Sequence, residues 1–430
     1  MQLKSIKLLK NINKQSLQNN IWTLFGAGAE AVYMTITVFL VVRLVGLAEA
    51  GVLSFSIAVS GLFRLIAAFN VRVFQSTDVN EEYSLNSYIG LRLVSSLAAV
   101  LSICIFLVIS NFEIFRTTAI LLVFAFFLTD GVADVFMGDL QQKGKMRIAG
   151  RMRVCAYGLS LVAFSIMVIS IQDLLISLVV SFSVLVCVYI IWIWFYRREF
   201  KKVRSRFNMA AIKNLVKNAL PLAIIGFISG YLYNSSKYFL GYLNTDETVA
   251  IITMLMMPVS LLSLMLSAFF AGAEMTKTAE IYAAGQPEAF SKRVSLQLLF
   301  SLAVVSAFCL FILFFGIPLL SWIFDVDLSQ YKNDFVILIL SCSAFYTILP
   351  IGAAIVVMRK QKQYMIMQIF AIVITFPFSW FLIDRYGITG AAFSYAIIYL
   401  PIIITSYILY RIMLKKLKPT LQVSRDGEEL

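Results

Sequence analysis

The sequence predicts an all-α polytopic membrane protein with about twelve transmembrane helices, and three observations predict it. First, 60% of its 430 residues are hydrophobic and only 14% are charged, fewer charges than a soluble domain needs on its surface. Second, apolar segments of roughly twenty residues, long enough to cross a bilayer, recur along the chain. Third, the basic residues fall mostly on alternate connections between these segments.

The apolar segments predict twelve spans, each bounded by polar or charged connections. They lie at 21–42, 48–69, 88–110, 115–137, 149–170, 174–196, 216–243, 248–271, 294–316, 334–357, 363–383 and 388–410. Every proline follows residue 220, so bent helices are expected in the second half of the chain.

The distribution of basic residues predicts the orientation of these spans. Of the 36 Lys and Arg residues, 29 lie in the two terminal segments, in every second connection or, like Arg151, Arg153 and Lys217, within the first five residues of the span that follows such a connection. By the positive-inside rule, both termini are expected in the cytoplasm. The net charge of +13 then reflects this asymmetry and attraction to an anionic inner leaflet, and no nucleic-acid partner is expected.

The longest strongly charged stretch between spans divides the chain into two halves of six helices. We predict an N-terminal lobe at 1–196, a cytoplasmic basic linker at 197–213, a C-terminal lobe at 214–410 and a cytoplasmic tail at 411–430. This division is typical of a parallel-repeat transporter. The outer connections are all short, so no extracytoplasmic domain is expected.

Cysteine and histidine limit the chemistry. The chain has no histidine, which excludes imidazole metal ligation and imidazole proton relay, so coupling to protons would need carboxylates. No cysteines have CxxC spacing, and all are interpreted as small buried hydrophobic residues. We expect no catalytic residue, no metal and no cofactor. The cysteines are Cys104, Cys155, Cys187, Cys309 and Cys342.

Ionisable residues inside the predicted spans are the candidates for function. A charge at the centre of a membrane helix costs roughly 2.5 to 3.5 kcal/mol, so it persists where it pairs or faces a watered cavity. At 1.5 Å per residue, Glu30, Arg64 and Asp130 lie about 14, 9 and 12 Å from the cytoplasmic ends of their helices, and can share one layer. Asp134 is interpreted as a carboxylate that pairs with the following basic loop, and Arg92 as a snorkelling residue.

Lys237 belongs to the outer half of the membrane, about 9 Å below the end of its helix. It continues a small-then-polar stripe with Gly226, Gly230, Tyr233 and Asn234, at spacings of three and four residues, which suits a helix that lines a cavity. The alternative is a lysine that snorkels to the outer headgroups.

Several segments resemble exporters of the multidrug/oligosaccharidyl-lipid/polysaccharide superfamily, and the resemblance covers nearly the whole chain. RLVGLAEAGVLSFSIAV, from Arg43, is similar to the turn between the first two helices of these exporters. Four other segments look like the polysaccharide (O-antigen or capsule repeat-unit) flippases of the Wzx type. They are NVRVFQSTDV from Asn70, GDLQQKGKMRIAGRMRV from Gly138, ALPLAIIGFISGYLYNSSKYFLGYL from Ala219 and YGITGAAFSYAI from Tyr386.

This resemblance implies a protein of the bacterial cytoplasmic (inner) membrane, with two six-helix bundles around a central cavity. It would flip a polyprenyl-diphosphate-linked oligosaccharide to the outer leaflet by alternating access, among membrane lipids and with polysaccharide-assembly proteins as candidate partners. Because a diphosphate is anionic, Arg64, Lys237 and Asn234 are the candidate substrate contacts. Glu30 and Asp130 are the candidates for coupling to a proton or sodium ion.

Other classes remain as alternatives. An ion-coupled drug or cation exporter of the same superfamily would be expected to have anionic cavity residues without Arg64 and Lys237 among them. A major-facilitator transporter would show a basic Gly/Asp/Arg motif that FNVRVFQSTDVNEEYS, from Phe69, lacks. A membrane glycosyltransferase or polysaccharide polymerase would need a catalytic site on a substantial outer loop, and these loops are too short.

Overall fold

The computed structural model describes residues 2–72, 75, 83–200, 209–270 and 274–426, and this part of the chain is built from helices joined by short turns. A 3₁₀ helix at Ser329–Tyr331 precedes α12. The α-helices are α1 Gln2–Leu44, α2 Leu47–Ala68, α3 Leu85–Ser110, α4 Ile114–Gln142, α5 Met146–Ile171, α6 Leu174–Phe195, α7 Met209–Leu243, α8 Asp246–Leu255, α9 Met257–Phe269, α10 Met275–Ala283, α11 Pro287–Phe324, α12 Lys332–Thr347, α13 Leu349–Val357 and α14 Gln361–Asp426.

The length and composition of these helices confirm the predicted all-α polytopic membrane protein. Within the described residues, nine segments are long and apolar enough to cross a membrane, or ten if the bent pair α8 and α9 counts as one span. One of them, Lys362–Lys415, runs through the two predicted spans 363–383 and 388–410. The separation expected between those two spans is a local break at Gly387 inside α14.

The chain forms two compact units, which we call unit 1 (Met1–Tyr233) and unit 2 (Asn234–Leu430). Their boundary falls inside α7, beyond the predicted linker at 197–213. Residues 201–208 of that linker lie outside the described residues. The division into six helices and six helices stays a prediction.

In unit 1, α1 packs along α5 at a close crossing that needs glycine. A Cβ atom added to Gly150 would lie 2.2 Å from the backbone oxygen of Trp22, and one added to Gly26 would lie 3.4 Å from the Cα of Gly150. Two backbones can approach this closely only where side chains are absent. The crossing fixes α1 against α5 one turn before Arg153, and so helps to position the candidate site.

The turn before α5 is held from two sides. The side-chain amide of Asn19 donates to the backbone oxygen of Gly144 at 2.8 Å, and its oxygen accepts from the backbone nitrogen of Arg147 at 2.9 Å. Lys145 donates to the carboxylate of Glu199, and this hydrogen bond lowers the pKa of Glu199. The start of α5 is therefore tied both to α1 and to the segment after α6.

Unit 2 contains the bends that its prolines predict, although not at every proline. α8 and α9 meet at 44° immediately before Pro258, and α12 gives way to α13 immediately before Pro350. Pro318, in contrast, lies inside the continuous helix α11. The predicted span 248–271 is thus two helices, because proline removes a backbone donor at the junction.

The cysteines are less buried than predicted. Cys309 and Cys342 are buried, Cys155 is half-buried, and Cys104 and Cys187 are exposed on the protein surface. The prediction was wrong for the exposed pair because the lipid-facing side of a membrane helix is as apolar as its packed side. An apolar sequence neighbourhood therefore does not distinguish the two.

Gly387 adopts φ 55° and ψ −123°, a conformation that is almost restricted to glycine. We expect Gly387→Ala to destabilise the folded protein by about 1 to 3 kcal/mol, because a Cβ is strained there whatever the space around it. The matched control is Gly61→Ala, since no atom lies within 4 Å of a Cβ added to Gly61 in α2. Thermal unfolding of the purified proteins in detergent measures both, and equal melting temperatures would contradict the expectation.

Candidate functional site

Four helices of unit 1 bring two carboxylates and two guanidinium groups into contact, and we call Glu30, Arg64, Asp130 and Arg153 the charge cluster. Arg64, on α2, donates through Nη1 to Glu30 Oε1 of α1 and through Nη2 to Asp130 Oδ2 of α4, the latter at 3.2 Å. Arg153, on α5, donates to the same Asp130 oxygen at 2.7 Å and pairs with Glu30 Oε2 at 3.2 Å. Charges thus alternate around the cluster, and each arginine bridges both carboxylates.

The predicted proximity of Glu30, Arg64 and Asp130 is confirmed. Arg153 also belongs to the cluster, which corrects its grouping with the cytoplasmic basic residues. Its place in a run of basic residues grouped it with a cytoplasmic connection, but it lies inside α5 and faces α1. The sequence contained a signal for this position. Gly150, Arg153 and Tyr157 follow each other at spacings of three and four residues, so a small, a basic and an aromatic residue share one helix face.

Asp130 is the closed end of the cluster. Its side chain is only 1% exposed, and besides the two arginines it accepts a hydrogen bond from Tyr189 Oη of α6 at 2.6 Å. Three donors, two of them charged, therefore hold one buried carboxylate. Protonation of Asp130 would weaken all three contacts, which makes Asp130 a group that stays ionised and organises its neighbours. The sequence analysis had not identified Tyr189.

Glu30 is the open end. Its side chain is 25% exposed, as is that of Arg64, and Arg153 is 21% exposed. Both of its described partners are guanidinium groups, one on each carboxylate oxygen. Since no neutral donor among the described residues holds it and it reaches the surface of the protein, Glu30 can leave the cluster at lower cost than Asp130. The assignment of both carboxylates to ion coupling stays a prediction.

Aromatic rings close the cluster on one side. The ring of Tyr33 stacks on Phe126 with centroids 4.8 Å apart and meets Tyr157 edge-on at 5.7 Å. The guanidinium carbon of Arg64 lies 4.9 Å from the centroid of Phe127, a cation–π distance. Because these rings exclude water from that side, the ion pairs are stronger there than on an open surface.

A second ionic network lies one helical turn along α4 and corrects two sequence interpretations. Asp134 accepts from Arg72 at 2.8 Å and pairs with Arg92 at 3.6 Å, so its partners are these arginines rather than the basic loop. Arg92 is 2% exposed and donates to the backbone oxygen of Ala67 at 2.8 Å. It is buried instead of snorkelling, because Asp134 and a carbonyl at the end of α2 supply acceptors inside the protein.

Unit 2 contains the other predicted substrate contacts. Lys237, on α7, is 8% exposed and forms no ion pair with any described carboxylate. Asn234 lies one turn earlier on the same helix and is half-buried. Serines of α7 and α14 meet close by, with Ser236 Oγ and Ser394 Oγ 3.0 Å apart. A buried ammonium without a counter-charge among the described residues is costly in a span such as the predicted 216–243, which marks Lys237 as a candidate for function.

One more polar network in unit 2 was not predicted from the sequence. Glu274, just before α10, accepts from Arg293 at 2.7 Å and from Gln297 at 3.2 Å. The hydrogen bond from Gln297 and the charge of Arg293 lower the pKa of Glu274. Gln297 also donates to Thr278 at 3.0 Å, so the network ties α10 to α11. The network joins two neighbouring helices, which indicates a structural role, although Arg293 Nε is buried without an acceptor among the described residues.

The fold is one that solved multi-pass membrane transporters also have. A multidrug resistance MATE family transporter of the MOP superfamily, solved in an inward-facing conformation, aligns with a TM-score of 0.67 at 16% identity, over 90% of this chain and 96% of that one. A MOP superfamily transporter from Pyrococcus furiosus aligns with a TM-score of 0.57 at 17% identity, over 94% of this chain and 96% of that one.

The sequence places the chain more closely. The family described as polysaccharide biosynthesis protein matches residues 16–274, which is more than half of the chain, so the protein belongs to that family. The capsular polysaccharide biosynthesis protein CapF of Staphylococcus aureus is 22% identical over an alignment of 420 positions, which covers 94% of this chain and 99% of CapF. These findings confirm the resemblance to the polysaccharide branch of the exporter superfamily.

Proposed function

We propose that the protein is a flippase that moves polyprenyl-diphosphate-linked oligosaccharide repeat units from the cytoplasmic to the outer leaflet by alternating access. The observation that carries the proposal is the surplus of buried and partly buried positive charge. In unit 1, four arginines (Arg64, Arg72, Arg92 and Arg153) share three carboxylates (Glu30, Asp130 and Asp134). In unit 2, Lys237 has no described ionic partner.

A surplus of cations in the membrane helices and directly beside them, where Arg72 follows the end of α2, suits an anionic substrate. Each such charge costs roughly 2.5 to 3.5 kcal/mol at mid-membrane, and a bound diphosphate would offset that cost with charge-assisted hydrogen bonds. Guanidinium groups are well suited to this because their donors match phosphate oxygens in pairs. The family, whose description and capsular relative concern polysaccharide biosynthesis, supports a lipid-linked sugar as the carrier of that diphosphate.

The second candidate is an ion-coupled drug or cation exporter, which the multidrug resistance transporters of the same fold favour. The polarity of the intramembrane charges argues against it, because an exported cation would need an anionic surplus. The Pyrococcus furiosus relative is itself described as having a binding pocket of reversed polarity that suggests a different function. Charge sign is therefore the criterion that we use to separate the two candidates.

Vesicles that contain the purified protein test the proposal. A fluorescent polyprenyl-diphosphate oligosaccharide should move between leaflets with wild-type protein, and Arg64→Ala should slow this movement about tenfold or more, because a charge contact to the diphosphate is lost. Arg64→Lys should retain part of the activity. The matched control is Lys332→Ala, which removes one exposed cation at the start of α12 and should transport normally. Transport of a lipophilic cationic dye without lipid movement would establish the exporter instead.

The proposed direction requires that the basic connections and both termini face the cytoplasm of the bacterial inner membrane. In a cysteine-free background, Arg198→Cys should be protected from an impermeant thiol reagent in intact cells, whereas Asp327→Cys should react. Both positions are exposed in the structure, so reactivity reports the side of the membrane. Labelling of position 198 from outside the cell would show that the protein has the opposite orientation.

A further inference from the structure

We propose that Glu30 occupies the place of the substrate's anionic head, so that its carboxylate and a phosphate compete for Arg64 and Arg153 and a proton joins Glu30 when the phosphate binds. This inference rests on the proposed function and deepens it. It identifies the phosphate site as the pair of guanidinium groups on α2 and α5. It also fixes the sign of the linkage between protons and substrate.

The geometry of Glu30 is that of an internal phosphate substitute. One carboxylate oxygen contacts Arg64 Nη1, and the other lies 3.2 Å from Arg153 Nη2, so a single anion bridges guanidinium groups from two helices. A phosphate group can make the same bridge with two of its oxygens. The three side chains are 21 to 25% exposed, so an anion can reach them, whereas Asp130 behind them is closed.

Two donors beside the pair have no acceptor among the described residues. Arg153 Nε and Tyr157 Oη are both buried and make no hydrogen bond there. The guanidinium carbon of Arg153 lies 5.9 Å from the centroid of the Tyr157 ring, so the two residues are neighbours. Glu30 already uses both of its oxygens, whereas a diphosphate brings further acceptors that these donors can use.

The surrounding groups leave Glu30 as the one that exchanges its proton. The helices around it present Tyr33 from its own α1, Arg64 from α2, Asp130 from α4, Arg153 and Tyr157 from α5, and Tyr189 from α6. Arg92 of α3, with Arg72 and Asp134, forms the adjoining network. Guanidinium and phenol groups keep their protons near neutral pH, and Asp130 is held by three donors.

Release of Arg64 and Arg153 to a phosphate leaves Glu30 without a counter-charge, beside the bound phosphate and the buried carboxylate of Asp130, which are both negative. Taking up a proton removes that cost. Anion binding and protonation of Glu30 therefore favour each other. The anion and the proton are both released when Arg64 and Arg153 pair with the Glu30 carboxylate again. One proton therefore accompanies the substrate, and the net negative charge that crosses the membrane is reduced by one.

Binding of a sugar-free polyprenyl diphosphate to the purified protein, measured at about pH 5.5 and about pH 8, tests the inference. Wild-type affinity should fall with rising pH, by up to about tenfold per pH unit where one proton is linked. Glu30→Gln, which is neutral at every pH, should bind more tightly than wild type at the higher pH and retain only the pH dependence of the ligand itself. Asp134→Asn is the matched control: it changes the charge equally but leaves Glu30 on its arginines, so its pH dependence should equal that of wild type.

The outcomes separate this inference from the proposed function. Equal pH dependence of binding in wild type and Glu30→Gln overturns the competition but does not contradict the proposed flippase. An affinity that depends on sodium concentration but not on pH has the same consequence. Absence of binding and of lipid movement in the wild type overturns both. If Glu30→Gln does not fold, Glu30→Asp supplies the test. Its shorter carboxylate cannot bridge both arginines, so affinity at the higher pH should rise while pH dependence persists.

Discussion

Asp130→Asn is expected to leave little folded protein in the membrane, whereas Glu30→Gln should accumulate normally. The buried carboxylate of Asp130 holds Arg64, Arg153 and Tyr189. Loss of one partner of a buried ion pair costs about 3 to 5 kcal/mol, a large share of the roughly 5 to 15 kcal/mol that keeps a protein folded. Glu30 is partly exposed, so the same charge change there costs much less.

Melting curves in detergent and abundance in the membrane measure this difference. Tyr189→Phe provides an intermediate step, because it removes only the hydrogen bond to Asp130 at 2.6 Å, which is worth about 1.5 to 3 kcal/mol when the acceptor is charged. The expected order of stability is Glu30→Gln, then Tyr189→Phe, then Asp130→Asn. If Asp130→Asn were stable and Glu30→Gln unfolded, Glu30 rather than Asp130 would be the carboxylate that stabilises the fold.

The helices were largely predictable because a membrane span depends on one physical quantity, the length of an apolar segment. The ends of α2, α3, α4 and α6 lie within a few residues of their predicted limits, apart from the longer C-terminal end of α4. The breaks in unit 2 were less predictable. A proline allows a break but does not require one, as the contrast between Pro258 and Pro318 shows.

The candidate site was predictable where depth alone decides contact and unpredictable where helix rotation does. Glu30, Arg64 and Asp130 could be placed in one layer by counting residues from the helix ends. Arg153 was not among the candidates, because it was grouped with the cytoplasmic basic residues although it lies within the predicted span 149–170. Only the close crossing at Gly26 and Gly150 shows that this part of the helix is packed against α1.

Lys237→Met is expected to raise the thermal stability of the protein while it stops transport. Lys237 is 8% exposed and has no described ionic partner, so its charge is a cost to the folded protein. Methionine has a similar length without the charge, and the replacement should stabilise the protein by up to about 3 kcal/mol. A residue that destabilises the fold is retained where function needs it.

In the same vesicle assay, Lys237→Met should slow lipid movement about tenfold or more, since a charge contact to the diphosphate would be lost. Lys237→Arg should keep part of the activity because it keeps the charge. Lys332→Met, at an exposed position, should change neither stability nor transport and is the matched control. Normal transport by Lys237→Met would show that Lys237 makes no substrate contact. If Lys237→Met is less stable than wild type, the ammonium has a structural partner. Removing a charge that has no ionic partner cannot destabilise the folded protein through loss of an ion pair.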